Sequence, residues 1–78
     1  MRLLLAAILF FIAPYLFAQK DSLDFYVKAA EQENQKGNYQ KALTNYLRVA
    51  FIQEGIKDEQ NLANTYENIG NLYQNKQI

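Results

Sequence analysis

The stretch Gly37-Asn38-Tyr39-Gln40-Lys41-Ala42-Leu43 constrains this chain most. Gly can adopt positive φ and Asn can cap a helix, and the pair stands between two segments with helical apolar spacing. Before it, Leu23, Tyr26, Val27 and Ala30 fall at i, i+3, i+4 and i+7, with Lys28, Glu31, Gln32 and Gln35 opposite. After it come Tyr39, Ala42, Leu43, Tyr46, Leu47 and Ala50. Val49, Phe51 and Ile52 widen this second stripe, which predicts a helix packed on more than one neighbour. Asp21 or Ser22 is expected to cap the first helix and Lys36-Gly37 to end it; Asn38 is expected to cap the second and Gly55 to end it. Asp58 can cap a third helix with the stripe Leu62, Thr65/Tyr66, Ile69 and Leu72/Tyr73. Gly70 falls inside it. An interior Gly costs about 1 kcal/mol relative to Ala, so its presence predicts the close approach of another helix.

Residues 1–18 read differently. Met1-Arg2 precedes an uncharged apolar run from Leu3 to Ala13, and Pro14-Tyr15-Leu16-Phe17-Ala18 leads to the polar Gln19-Lys20-Asp21. One positive charge, a short apolar run and a small residue before a polar boundary form a secretory signal peptide. A bilayer-spanning helix needs about 20 apolar residues, more than this run supplies. Cleavage is expected after Ala18, which leaves residues 19–78 as the exported part. Leu16 occupies a position where a small residue is preferred, and an uncleaved N-terminal segment is the only route to a membrane read here.

Composition narrows the function. The chain has 78 residues, enough for at most one domain. Eight basic residues balance eight acidic ones, and removing Arg2 with the signal leaves seven against eight, a net charge of −1. The basic residues are dispersed, so nothing points to nucleic acid. With no His and no Cys, imidazole bases, thiol nucleophiles and Cys/His metal sites are excluded. Asp21, Asp24, Glu31 and Glu33 fit no metal loop and read as caps and solvated carboxylates. Tyr26, Tyr39, Tyr46, Tyr66 and Tyr73 lie at core spacing and read as packing. No cofactor is expected and no enzyme activity.

The first and third helices align with each other at an offset of 40 residues: Tyr26 with Tyr66, Ala29 with Ile69, Ala30 with Gly70 and Lys36 with Lys76. A helix pair repeated at that period marks a helical solenoid. Tyr66-x-x-Ile69-Gly70-x-x-Tyr73 resembles the first-helix signature of the tetratricopeptide repeat, W-x2-L-G-x2-Y, with Tyr in place of Trp. Gly37-Asn38-Tyr39-x-x-Ala42-x-x-x-Tyr46-x-x-Val49 resembles the turn and second helix of the same repeat. The resemblance covers residues 23–78. Glu33 stands where the first repeat should carry an aromatic, the usual Pro after the second helix is missing, and the commonest offset in the family is 34.

The resemblance implies an all-α fold: a tetratricopeptide-like helical hairpin plus the first helix of an incomplete second repeat, preceded by the signal-peptide helix. It also implies a protein–protein interaction module that takes a peptide or partner protein on a helical groove. Asn61, Asn64, Asn68, Asn71 and Asn75, at spacings of 3, 4, 3 and 4, make an amide stripe along the third helix. Amides donate and accept together, which suits recognition of a peptide backbone. The first helix of each repeat lines the concave groove in this family, which makes Asn64, Glu67, Asn71 and Asn75 the expected partner-binding residues. An exported, periplasmic address is expected. The same layout resembles the N-terminal sensory ectodomain of larger membrane signalling proteins, histidine kinases or transcription regulators, and the chain then reads as a fragment. Arrays of this kind generally need about three repeats, so residues 19–78 alone are expected to be partly unfolded or to self-associate.

Overall fold

The computed structural model describes the backbone of residues 2–76 and the side chains of residues 19–75. The described chain is all-α, with three helices: α1 (Arg2–Gln35), α2 (Tyr39–Gly55) and α3 (Glu59–Lys76). The side chains on which the signal-peptide reading rests, residues 1–18, lie outside the described residues. Among the described residues no helix is long and apolar enough to cross a membrane.

Asp21 and Ser22 do not begin a helix; they lie inside α1, which continues through them from Arg2. The C-terminal end of α1 falls as expected. Gly37 takes φ +82°. Its N–H donates to the Asn34 carbonyl at 3.1 Å, and the Asn38 N–H to the Glu33 carbonyl at 2.8 Å. This is the Schellman arrangement, which satisfies carbonyls that the end of a helix leaves open. Asn38 occupies the N-cap position of α2 but makes no side-chain cap bond. Its amide turns back instead, donating from Nδ2 to Glu33 Oε2 at 2.8 Å.

The second turn repeats this geometry, with α2 ending at Gly55 as expected. The glycine itself does not take positive φ. Lys57 holds the left-handed position at φ +59°. The Lys57 N–H donates to the Glu54 carbonyl at 3.2 Å and the Asp58 N–H to the Gln53 carbonyl at 2.9 Å. Asp58 precedes α3 as expected, and its Oδ2 accepts from the Asn61 side-chain amide at 2.8 Å.

α2 is the central element. It packs against α1 on one side and α3 on the other, while no Cα of α1 lies within 8 Å of one of α3. The wide apolar face of α2 is what allows this. Ala42, Leu43, Tyr46 and Ala50 join Ala30 of α1 and Ile69 and Leu72 of α3 in one small core, flanked by Tyr39 and Leu62. Val49 is also fully buried. Small residues at Ala30 and Ala42, both at 0% exposure, let the α1 and α2 backbones approach closely.

Two expectations about packing change. Tyr46 is buried, but Tyr66 and Tyr73 are 51% and 53% exposed. Only one edge of the α3 stripe, Thr65, Ile69 and Leu72, faces α2. Nothing lies within 4 Å of a Cβ built at Gly70, so the close approach inferred there is not made by any described residue. The cause is shared: Tyr66, Gly70 and Tyr73 occupy a face of α3 against which no described helix packs. Leu47 and Phe51 likewise stand on the outer side of α2, at 50% and 79% exposure. Arg48 lies over the Tyr26 ring beside them, 5.3 Å from its centroid.

Candidate functional site

Because α1 and α3 both lean on α2 without meeting, a groove runs between them with α2 as its floor. Its volume is about 260 Å³. The wall from α1 presents Leu23, Asp24, Val27 and Glu31. Tyr46, Val49 and Gln53 of α2 form the floor. The opposite wall, from α3, presents Asn61, Asn64, Thr65 and Asn68. Helical periodicity explains each wall: Asp24, Val27 and Glu31 are spaced 3 and 4 apart, as are Asn61, Asn64 and Asn68.

The floor carries a buried polar pair. The Thr65 hydroxyl lies 2.6 Å from Gln53 Oε1, to which it donates, and 3.0 Å from the Asn61 carbonyl. Thr65 and Gln53 are each only 5% exposed. A buried amide oxygen without a donor is costly, so this bond ties the register of α3 to α2 directly beneath the groove. Tyr46 sits in the same floor. Its phenol is held above the ordinary range first by burial and then by the negative charge of Glu31. Both effects disfavour the phenolate, the first by desolvation and the second by like-charge repulsion.

Of the four expected binding residues, Asn64 lines this groove. Glu67, Asn71 and Asn75 are exposed on α3 but are not among the groove-lining residues. The amide stripe contributes instead through its N-terminal half, Asn61, Asn64 and Asn68. The α1 wall did not emerge from sequence. Asp24 and Glu31 read as a cap and a solvated charge because nothing local brings them opposite an amide stripe on a helix two elements away. Gln53 was also missed, although a Gln one residue after the apolar Ile52 in a wide stripe is a weak signal of a buried polar position.

Other concavities flank the hairpin. One, of about 570 Å³, lies where Gln19 of α1 meets the α2 C-terminus at Phe51, Ile52 and Ile56. A second, of about 340 Å³, is lined by Tyr26, Leu47, Arg48, Phe51 and Ile52. The first also carries Glu54 and Lys57 on its rim, the second is mostly apolar apart from Arg48, and a third, of about 310 Å³, is lined by Glu33, Gln40, Lys41, Thr44, Asn45 and Arg48. Among the described residues no group of three or more acidic side chains could hold a metal ion.

In comparisons with protein-family models, with curated proteins and with solved structures, nothing matches this chain.

Proposed function

We propose that this chain is an exported, tetratricopeptide-type protein-interaction module that docks a peptide or partner segment in the groove between α1 and α3. The observation that carries the reading is the groove itself: two helices splayed on a shared third, with Asn64 and Asn68 on one wall facing a second helical wall. Neither amide makes a side-chain hydrogen bond with another described residue, which leaves both free to donate and accept. Residue patterns support the repeat assignment. Tyr66-x-x-Ile69-Gly70-x-x-Tyr73 carries the first-helix signature, and the Gly37 turn joins a helical pair of the right order. Binding needs no turnover, in keeping with a groove lined by amides, carboxylates and apolar residues. Export follows from the character of residues 1–18, with Ala18 as the cleavage point.

Display selection of randomised dodecapeptides against the full 78-residue chain, held in a mild non-ionic detergent, tests the groove. Peptides should be enriched on the natural chain and lost on Asn64→Trp, which fills the groove from an exposed position. Equal enrichment on both proteins would place binding elsewhere, and no enrichment on either would end the peptide-docking reading. Export is tested separately by sequencing the N-terminus of the protein recovered from a Gram-negative host: Gln19 is expected, and an intact Met1 would contradict cleavage.

A further inference from the structure

We infer that the groove selects an extended basic segment, one with two Lys or Arg side chains three residues apart; this rests on the groove-docking reading above. The charge of the lining is one-sided. Asp24 and Glu31 are both exposed carboxylates on the α1 wall, and no basic side chain lines the groove. The rest of the chain does not share this bias: outside these two carboxylates it carries eight basic residues against six acidic ones. Both carboxylates line the concavity beside the apolar Val27 and Val49, whereas Lys28, between them on α1, does not.

The spacing of the carboxylates sets the spacing of the ligand's charges. Asp24 and Glu31 are seven residues apart on one helix, which at 1.5 Å per residue separates them by about 10.5 Å along the axis. An extended chain in the polyproline II conformation rises about 3.1 Å per residue with three residues per turn, so side chains three residues apart share one face and are separated by about 9.3 Å. A segment lying along α1 with Lys at those two positions puts one ammonium on each carboxylate. Its backbone then faces the α3 wall, where the Asn64 and Asn68 amides can pair with peptide N–H and C=O groups whatever the intervening sequence. A partner helix does not fit as well. Its backbone groups are already paired internally, and the two amides would have nothing to read.

Three capped dodecapeptides on a Gly/Ser/Asn frame test this by fluorescence anisotropy with the full chain. One carries Lys at two positions three apart, one Glu and one Gln at the same positions. The Lys peptide should bind, the Glu peptide should not, and the Gln peptide should bind on the order of tenfold more weakly than the Lys peptide. Asp24→Asn with Glu31→Gln should remove most of the Lys preference. Both side chains are exposed, and circular dichroism of the double variant should match the natural chain. Raising the ionic strength should weaken the Lys peptide selectively. If the Gln or Glu peptide binds as tightly as the Lys peptide, or the double variant keeps the preference, the charge selection is wrong while groove docking stands. If none binds, the inference falls, and the display selection decides whether the groove docks peptides at all.

Discussion

The Thr65–Gln53 bond offers a prediction whose asymmetry can be worked out in advance. Thr65→Val keeps the shape of the side chain and removes its hydroxyl. Gln53 Oε1, 2.6 Å away and 5% exposed as a residue, then loses its donor. Leaving a buried acceptor unpaired costs about 1 to 3 kcal/mol. Gln53→Met removes the amide but leaves the Thr65 hydroxyl its second acceptor, the Asn61 carbonyl at 3.0 Å. That variant should therefore lose less, on the order of 1 kcal/mol or below, because no buried group is stranded. In the double variant Thr65→Val/Gln53→Met both partners are apolar, and it should be more stable than Thr65→Val alone. The coupling between the two positions should be about 1 to 2 kcal/mol. For a chain of this size 1 kcal/mol moves a melting midpoint by about 4 to 8 °C, well within reach of thermal circular dichroism at the helical band. Strictly additive effects, or a Thr65→Val protein as stable as the natural one, would show that α3 is not tied to α2 through this bond.

The two turns give a matched pair: Gly37→Ala forces an L side chain to φ +82° and should cost about 1 kcal/mol, whereas Lys57→Gly relieves a non-glycine residue at φ +59° and should add about 0.5 to 1 kcal/mol in thermal or urea unfolding. Space is not the issue at Gly37, since the nearest atom to an added Cβ is Tyr39 Oη at 4.0 Å, so the cost is conformational. Gly70→Ala, in open space on α3, should stabilise by about 1 kcal/mol through helix propensity; a loss of stability would show that something packs on that face in solution. Tyr46, whose pKa is raised in the fold, contributes stability that is complete below the ordinary phenol value of about 10 and is lost as pH rises through its folded value. In an absorbance titration at the phenolate band, Tyr46→Phe should remove a component at high pH together with the alkaline loss of helix.

These turns also show what could be read from the chain and what could not. Gly37 announced the first turn because glycine is the residue that most readily takes positive φ. Gly55 marked the end of α2 where it falls, but the second turn places Lys57 in the left-handed conformation, and no residue type marks that position. The three helices were legible from i, i+3, i+4 spacing, and the width of the α2 stripe correctly gave it two neighbours. The α3 stripe was ambiguous, because Thr65, Ile69 and Leu72 share it with Tyr66 and Tyr73. Which edge is buried depends on the side from which α2 approaches, a tertiary fact without a local cause. The groove was half legible for the same reason. An amide stripe is visible on one helix, but the facing Asp24 and Glu31 acquire meaning only when α2 brings α1 and α3 to either side of it. Asp21 and Ser22 looked like a helix start because polar residues follow an apolar run there, yet the uncleaved chain continues as helix through them.

The central claim is that a partner segment lies between α1 and α3. Side-chain amide signals in a heteronuclear NMR titration test it most directly, since Asn64 and Asn68 report from one wall and the backbone amides of Asp24 and Glu31 from the other. Titration with the Lys-bearing dodecapeptide should shift all four together, with Tyr66, Tyr73 and Phe51 unmoved. Shifts confined to Tyr66 and Tyr73, or to Phe51 and Leu47, with the Asn64 and Asn68 amides unchanged, would contradict it.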